Sequence, residues 1–203
     1  MLKKGFLGWL KLNMNYLFFR VKYINEENLE LIDKAVVCPN HSHAFDPFWV
    51  YFKVPNTWIM AKAELFKNKL MKFLLVTYNC FPIERGKKDA RSLVHAIKAI
   101  EDHEHSRLLI FPEGTRIKKD KERGRAKVGP VFIASKAGVP LLPVYIKKNP
   151  KIFSKVYVVF GKPIEVPQDI HKDKEKMQEY SDMLLDEIYK LKEQIPTKKN
   201  KKK

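Results

Sequence analysis

The sequence is poor in cysteine, in glycine and in acid, and it has no apolar run long enough to cross a bilayer. Two cysteines among 203 residues, Cys38 and Cys80, cannot build a disulfide framework. Both lie in apolar, strand-like runs and read as buried thiols, which suits a reducing compartment. Cys38 stands near His41 and His43, yet no second ligand pair follows at metal spacing, so no metal is expected. Eight glycines exclude a glycine-rich repeat. No stretch reaches about 18 consecutive apolar residues, the minimum for a transmembrane helix. A Gly-x-Ser-x-Gly turn is missing, which argues against a serine esterase. Asp and Glu number 23 against 40 Lys and Arg, a net charge of +17.

That excess asks for an anionic partner: nucleic acid, an anionic membrane surface or a phosphorylated substrate. Five lysines sit in the tail at 197–203, leaving +12 on the rest of the chain. The tail reads as a disordered end. A nucleic-acid-binding module fits the charge and the pI near 9.7. Against it, the aromatics follow buried patterns, no nucleic-acid-binding signature is found, and Lys outnumbers Arg. No nucleic-acid partner is expected.

Hydrophobic residues make up 45% of the chain, enough for one domain with a sizeable core. Residues 5–20 carry Phe6, Leu10, Met14 and Leu17 on one helical face, interrupted by Lys11, Asn13 and Asn15. No small-residue cleavage site follows, so a signal peptide is not expected. This stretch reads as an interfacial amphipathic helix within an N-terminal unit at 1–24; the alternative is a helix packed on the domain's own core.

Strand-like runs then alternate with helical patterns. Strands are predicted at 35–39, 57–61, 78–83, 107–111, 139–146 and 156–160. Helices are predicted at 44–52, 64–76, 89–102, 130–136 and 173–192. Pro130 and Gly138 punctuate the fourth of these. The alternation implies an α/β fold: a single domain at 25–196 with a mostly parallel central sheet flanked by helices. Ligands of such sheets bind beyond the C-terminal ends of the strands.

The chemically loaded residues follow strands. In Asn40-His41-Ser42-His43-Ala44-Phe45-Asp46-Pro47, His41 is an available base. Asp46 would not share its face on a straight helix, but reaches the imidazole if the chain between them turns, and then fixes the ring tautomer. A plainer reading has Asp46 cap the next helix and His41 sit in a satisfied turn. In Phe81-Pro82-Ile83-Glu84-Arg85-Gly86, Arg85 can grip a phosphate bidentately, or form a surface ion pair. In Phe111-Pro112-Glu113-Gly114-Thr115-Arg116, Arg116 can bind an anion and Glu113 can position it or a substrate hydroxyl. Lys127-Val128-Gly129-Pro130 opens a helix whose N-terminus favours anions.

Taken together and in order, His41-x4-Asp46, Phe81 to Arg85, Phe111 to Arg116 and the run Val139-Pro140-Leu141-Leu142-Pro143-Val144 resemble the four motifs of the glycerolipid acyltransferases. The bacterial 1-acyl-glycerol-3-phosphate acyltransferases are the nearest in pattern, and Lys62-Ala63-Glu64-Leu65 also looks like that group. The resemblance covers about residues 35–165 and makes 25–196 an acyltransferase domain. Glu84 departs from it, standing where Asp is common. The resemblance implies transfer of an acyl group from a thioester to the hydroxyl of lysophosphatidic acid, giving phosphatidic acid. His41 would be the general base, oriented by Asp46. Arg85, Glu113, Gly114, Thr115, Arg116 and Lys127 would hold the acceptor. The donor would be acyl-CoA or acyl-carrier protein, with no metal or redox cofactor and no acyl-enzyme. Glycerol-3-phosphate, a lysophospholipid or an ornithine-type lysolipid remain alternative acceptors. The expected location is the cytoplasmic face of the cell membrane, as a peripheral or monotopic enzyme in contact with membrane phospholipids.

Overall fold

The structure, a computed structural model, describes residues 18–83, 90–117 and 123–196. Its centre is set by two uninterrupted apolar runs. Ala35–Pro39 (β2) and Leu141–Ile146 (β6) are buried at every position. Strands with both faces apolar must be covered on both sides, as in a parallel α/β sheet. The remaining strands are Arg20–Ile24 (β1), Thr57–Lys62 (β3), Cys80–Ile83 (β4), Arg107–Leu109 (β5) and Lys155–Phe160 (β7). They form one seven-stranded sheet in the order β1-β7-β6-β2-β5-β3-β4. Every neighbouring pair is parallel except β6 and β7. The predicted mostly parallel sheet is therefore present, and the C-terminal ends of β6, β2, β5, β3 and β4 share one rim.

Two layers cover the sheet. On one face Ala96 and Ile100 of Ala90–Glu101 (α3), Val131 and Ala134 of Gly129–Ala137 (α4), and Leu184 and Ile188 of Lys174–Lys190 (α5) join one core cluster. On the other face Trp49 and Val50 of Asp46–Tyr51 (α1) pack with Phe19, Ile32 and the outward residues of the central strands. The α5 helix starts where the sequence predicts a helix to start, because Asp173 caps it: its carboxylate accepts from the amides of Glu175 and Lys176.

Two expectations need correction. The N-terminal unit at 1–24 is not helical to its end: Arg20–Ile24 is the edge strand β1, in parallel register with β7 from Arg20 opposite Lys155. Its sequence alternates basic Arg20 and Lys22 with apolar Val21, a period-2 signal. Residues 1–17 lie outside the described residues, and with them most of the proposed interfacial helix. The helix predicted at 64–76 is two elements, a 3-10 turn Ala63–Lys67 and the helix Lys69–Thr77 (α2). Asn68 divides them because its side chain accepts from the Met71 amide and caps α2. The tail at 197–203 is also outside the described residues.

Both thiols are sheltered as expected. Burial raises Cys38 far above the ordinary thiol value and pushes Cys80 up to about 12. At pH 8 the Cys80 thiolate is then roughly one part in 10⁴, so alkylation by iodoacetamide should be very slow on the native chain. Mass spectrometry should find both cysteines modified quickly in denaturant; fast native modification would show that these runs open readily.

Candidate active site

The site grows out of the β2 exit. Asn40 is fully buried, and its side chain imitates a strand: Nδ2 donates to the Ile146 carbonyl and Oδ1 accepts from the Ile146 amide. This pins the chain leaving β2 to the end of β6. The next residues turn sharply instead of entering a helix. The turn is organised by one oxygen, Asp46 Oδ2. It accepts from the Ser42 amide at 2.6 Å, the His43 amide at 2.7 Å and His41 Nδ1 at 2.9 Å. Asp46 does not cap the helix that follows, whose N-cap is Phe45 with no side-chain cap bond; its carboxylate instead fixes the turn before the helix and holds the imidazole.

The electrostatics follow. Asp46 is wholly buried and His41 is 7% exposed. A buried carboxylate needs compensating donors, and these three supply them to Oδ2, while Oδ1 is buried without a partner among the described residues. An ionised carboxylate only accepts, so Nδ1 carries the proton and the lone pair of the neutral ring is on Nε2. No described residue hydrogen-bonds to Nε2. The ring lies against Phe111, with centroids 3.9 Å apart at 22°. His43 has a different place: its ring stacks on Trp49, 5.6 Å away. Burial pushes it below the ordinary imidazole range; Asp46 opposes this, while Arg116 and His41 add to it.

The loop after β5 locks the turn from the other side. Glu113 is 2% exposed. Its Oε2 accepts from the His41 amide at 2.9 Å, and its Oε1 accepts from the Gly124 amide at 2.8 Å and the Tyr189 hydroxyl at 2.7 Å. The Ile117 amide then donates to the His41 carbonyl. The His41 backbone is held on both sides by one loop. Burial and the bonded carboxylate raise Tyr189 far above its ordinary value, so it stays a donor. Two glycines permit this closeness. Gly114 has φ +67, and a Cβ on Gly124 would lie 2.9 Å from the Glu113 Cβ.

Of the residues singled out in the sequence, the structure joins His41, Asp46 and Glu113 directly. Gly114 forms the turn, its amide donating to the Phe111 carbonyl. Lys127 runs beside Gly114 and ties its backbone amide to the Pro112 carbonyl. Thr115 and Arg116 are exposed at the loop tip, and the Arg116 charge is felt at His43. Arg85 and Glu84 lie outside the described residues. Among the described residues no group of three or more His, Cys, Asp or Glu could hold a metal ion. Sequence reasoning missed Tyr189, Gly124 and the Phe111 ring. Tyr189 stands next to Ile188 and off the apolar stripe of α5, and that displacement was its only signal.

The fold is an α/β domain whose mostly parallel sheet carries a buried, hydrogen-bonded His-Asp pair on its C-terminal rim. Residues 20–147 match the Acyltransferase family model, and the chain belongs to that family. A 1-acyl-sn-glycerol-3-phosphate acyltransferase of Bacillus subtilis (strain 168) is 27% identical over 190 residues, 86% of this chain and 89% of that protein. One from Streptococcus pneumoniae is 29% identical over 147 residues, 69% of this chain and 53% of that protein. The crystal structure of the 1-acyl-sn-glycerophosphate (LPA) acyltransferase PlsC from Thermotoga maritima superposes with a TM-score of 0.71 at 24% identity, over 94% of this chain and 78% of that one. That likeness shows the same fold.

Removing the Tyr189 hydroxyl takes one of two donors from Glu113 Oε1. Tyr189→Phe should cost about 1–2 kcal/mol in chemical denaturation. Unchanged stability would mean that the bond contributes nothing to holding the loop.

Proposed function

We propose that this chain is a 1-acyl-sn-glycerol-3-phosphate acyltransferase, converting lysophosphatidic acid and an acyl thioester to phosphatidic acid and a free thiol. The observation that carries the reading is the 2.9 Å His41–Asp46 bond in a buried turn, in a member of the acyltransferase family. The names of the relatives from B. subtilis and S. pneumoniae support the acceptor.

In this mechanism the acceptor hydroxyl meets His41 Nε2. As its oxygen attacks the thioester carbonyl, the proton passes to Nε2 and Asp46 stabilises the imidazolium. The tetrahedral intermediate collapses, the C–S bond breaks, and the departing thiolate takes the proton back. The acyl group passes directly to the acceptor. Glu113 serves as a positioning residue, since its carboxylate is occupied by amides and a phenol of the protein itself. Arg85 and Arg116 bind the acceptor phosphate, with Lys127 and the Gly114–Thr115 turn shaping the loop. The donor is acyl-CoA or acyl-carrier protein. Among the described residues no helix is long and apolar enough to cross a membrane. Phe19 packs against Phe45 and Trp49 beside the His43 ring, so the N-terminal segment joins the fold next to the site. Peripheral attachment on the cytoplasmic face of the membrane is part of this reading.

The test is an acyl-transfer assay with lysophosphatidic acid, glycerol-3-phosphate and lysophospholipid acceptors and both thioester donors. His41→Ala should lower turnover by about 10²- to 10⁴-fold with the thermal melt unchanged. Near-normal turnover would sink the general-base role. Arg116→Ala and Arg85→Ala should raise the KM for lysophosphatidic acid more than that for the donor, with Arg→Lys a partial rescue. An effect on donor kinetics alone would move these arginines to the thioester site.

A further inference from the structure

The α2 helix is apolar in composition yet buries little of itself. Leu70 is 71% exposed, Phe73 58% and Val76 52%, and Leu65 in the preceding turn is 43% exposed. Of the nine residues in α2 only Leu75 and Thr77 are buried. Exposed apolar groups gathered on one element mark a surface built to meet something apolar. The charge pattern states what that is. Lys67, Lys69 and Lys72 are exposed between these groups, and the only acidic side chain from 62 to 77, Glu64, is paired with Lys62 at 3.1 Å. Apolar groups interleaved with unopposed lysines suit an anionic lipid surface.

The position of this patch adds the second argument. The turn Ala63–Lys67 follows β3 directly, so it lies on the rim from which His41 emerges. Across the sheet the loop before β7 reaches the same rim and exposes Ile152 at 64% and Phe153 at 62%, with the Phe153 amide bonded to the carbonyl of exposed Phe18. Lys147, Lys151 and Lys155 are exposed along that loop. β3 and β7 each stand two strands from β2, roughly 10 Å to either side of the His41 turn. The rim therefore carries an apolar and basic turn on one side of the site, from which α2 runs back toward the start of β4, and an apolar and basic loop on the other.

We propose that the turn Ala63–Lys67 and α2 form a second bilayer-contacting surface, separate from the N-terminal segment, which sets the active-site rim against anionic lipid. The inference rests on the lipid-acyltransferase reading. The full chain carrying Leu70→Cys is labelled with an environment-sensitive fluorophore and mixed with phosphatidylglycerol-containing or pure phosphatidylcholine vesicles. Met183→Cys, on α5, is the control, and the unsubstituted chain gives any background from Cys80. The label at position 70 should shift to the blue with the anionic vesicles, and the control should not. In co-sedimentation, Leu70→Glu with Phe73→Glu should weaken binding to the anionic vesicles by about tenfold or more. Because both side chains are exposed, the melt should be retained; the fluorophore carries the test if it is not. No spectral shift at position 70 overturns the proposal. So does a shift that depends on protein concentration rather than lipid, which would make a second copy of the chain the occupant. Acyl transfer to a short-chain, soluble acceptor is measured alongside: its absence in the unsubstituted chain would sink the functional reading and leave the vesicle result standing.

Discussion

The buried carboxylate of Glu113 is the interaction on which the site depends. It gathers an amide from the β2 exit, an amide from the segment before α4 and a phenol from α5. Three parts of the chain far apart in sequence are thereby held at one point. Removing a carboxylate from water is costly, and the cost is offset only when all the donors are in place. The arrangement is therefore cooperative: His41 is held in its place only when the fold around Glu113 is complete. Asp46 repeats the logic on a smaller scale, with one oxygen serving three donors within six residues.

The division of labour between these two carboxylates explains the placement of the histidine. Asp46 acts on the ring, fixing its tautomer and leaving Nε2 without a hydrogen bond from any described residue. Glu113, with the Ile117 amide, acts on the His41 backbone. Phe111 closes one ring face. An imidazole held through its backbone, one nitrogen and one face has little freedom to lose when substrate binds, which is the preorganisation that the proposed general-base role needs.

Much of this was legible in the sequence. Period and punctuation located the strands that carry the sheet, because β2 and β6 are continuous apolar runs and Pro130 and Gly138 bracket α4. The spacing of His41 and Asp46 suggested a turn, and the turn is there. Other features were hidden for physical reasons. The strand at 20–24 is short and adjoins an apolar stretch of helical period, so its alternation was absorbed into the helix. Asn68 acts through a local cap that composition does not separate from an interior polar residue. Glu113 looked like a substrate ligand because nothing in a linear sequence shows that Gly124 and Tyr189 come to its carboxylate. Such bonds are products of topology, and the strand order 1-7-6-2-5-3-4 is invisible to periodicity.

The pairing of β1 with β7 has a consequence for how the chain is made. Arg20 finds its partner in Lys155, 135 residues later. At ordinary synthesis rates of about 5–20 residues per second, that partner emerges roughly 7–27 s after Arg20. The edge strand must wait while the central strands and their helices assemble, and long-range pairings of this kind are slow to close. During this interval Val21 lacks its β7 partner Val156, although Phe19 can already meet Phe45 and Trp49. Docking of β1 is thus a late folding event, and it brings Phe18 to the loop before β7 only once that end of the sheet has been built.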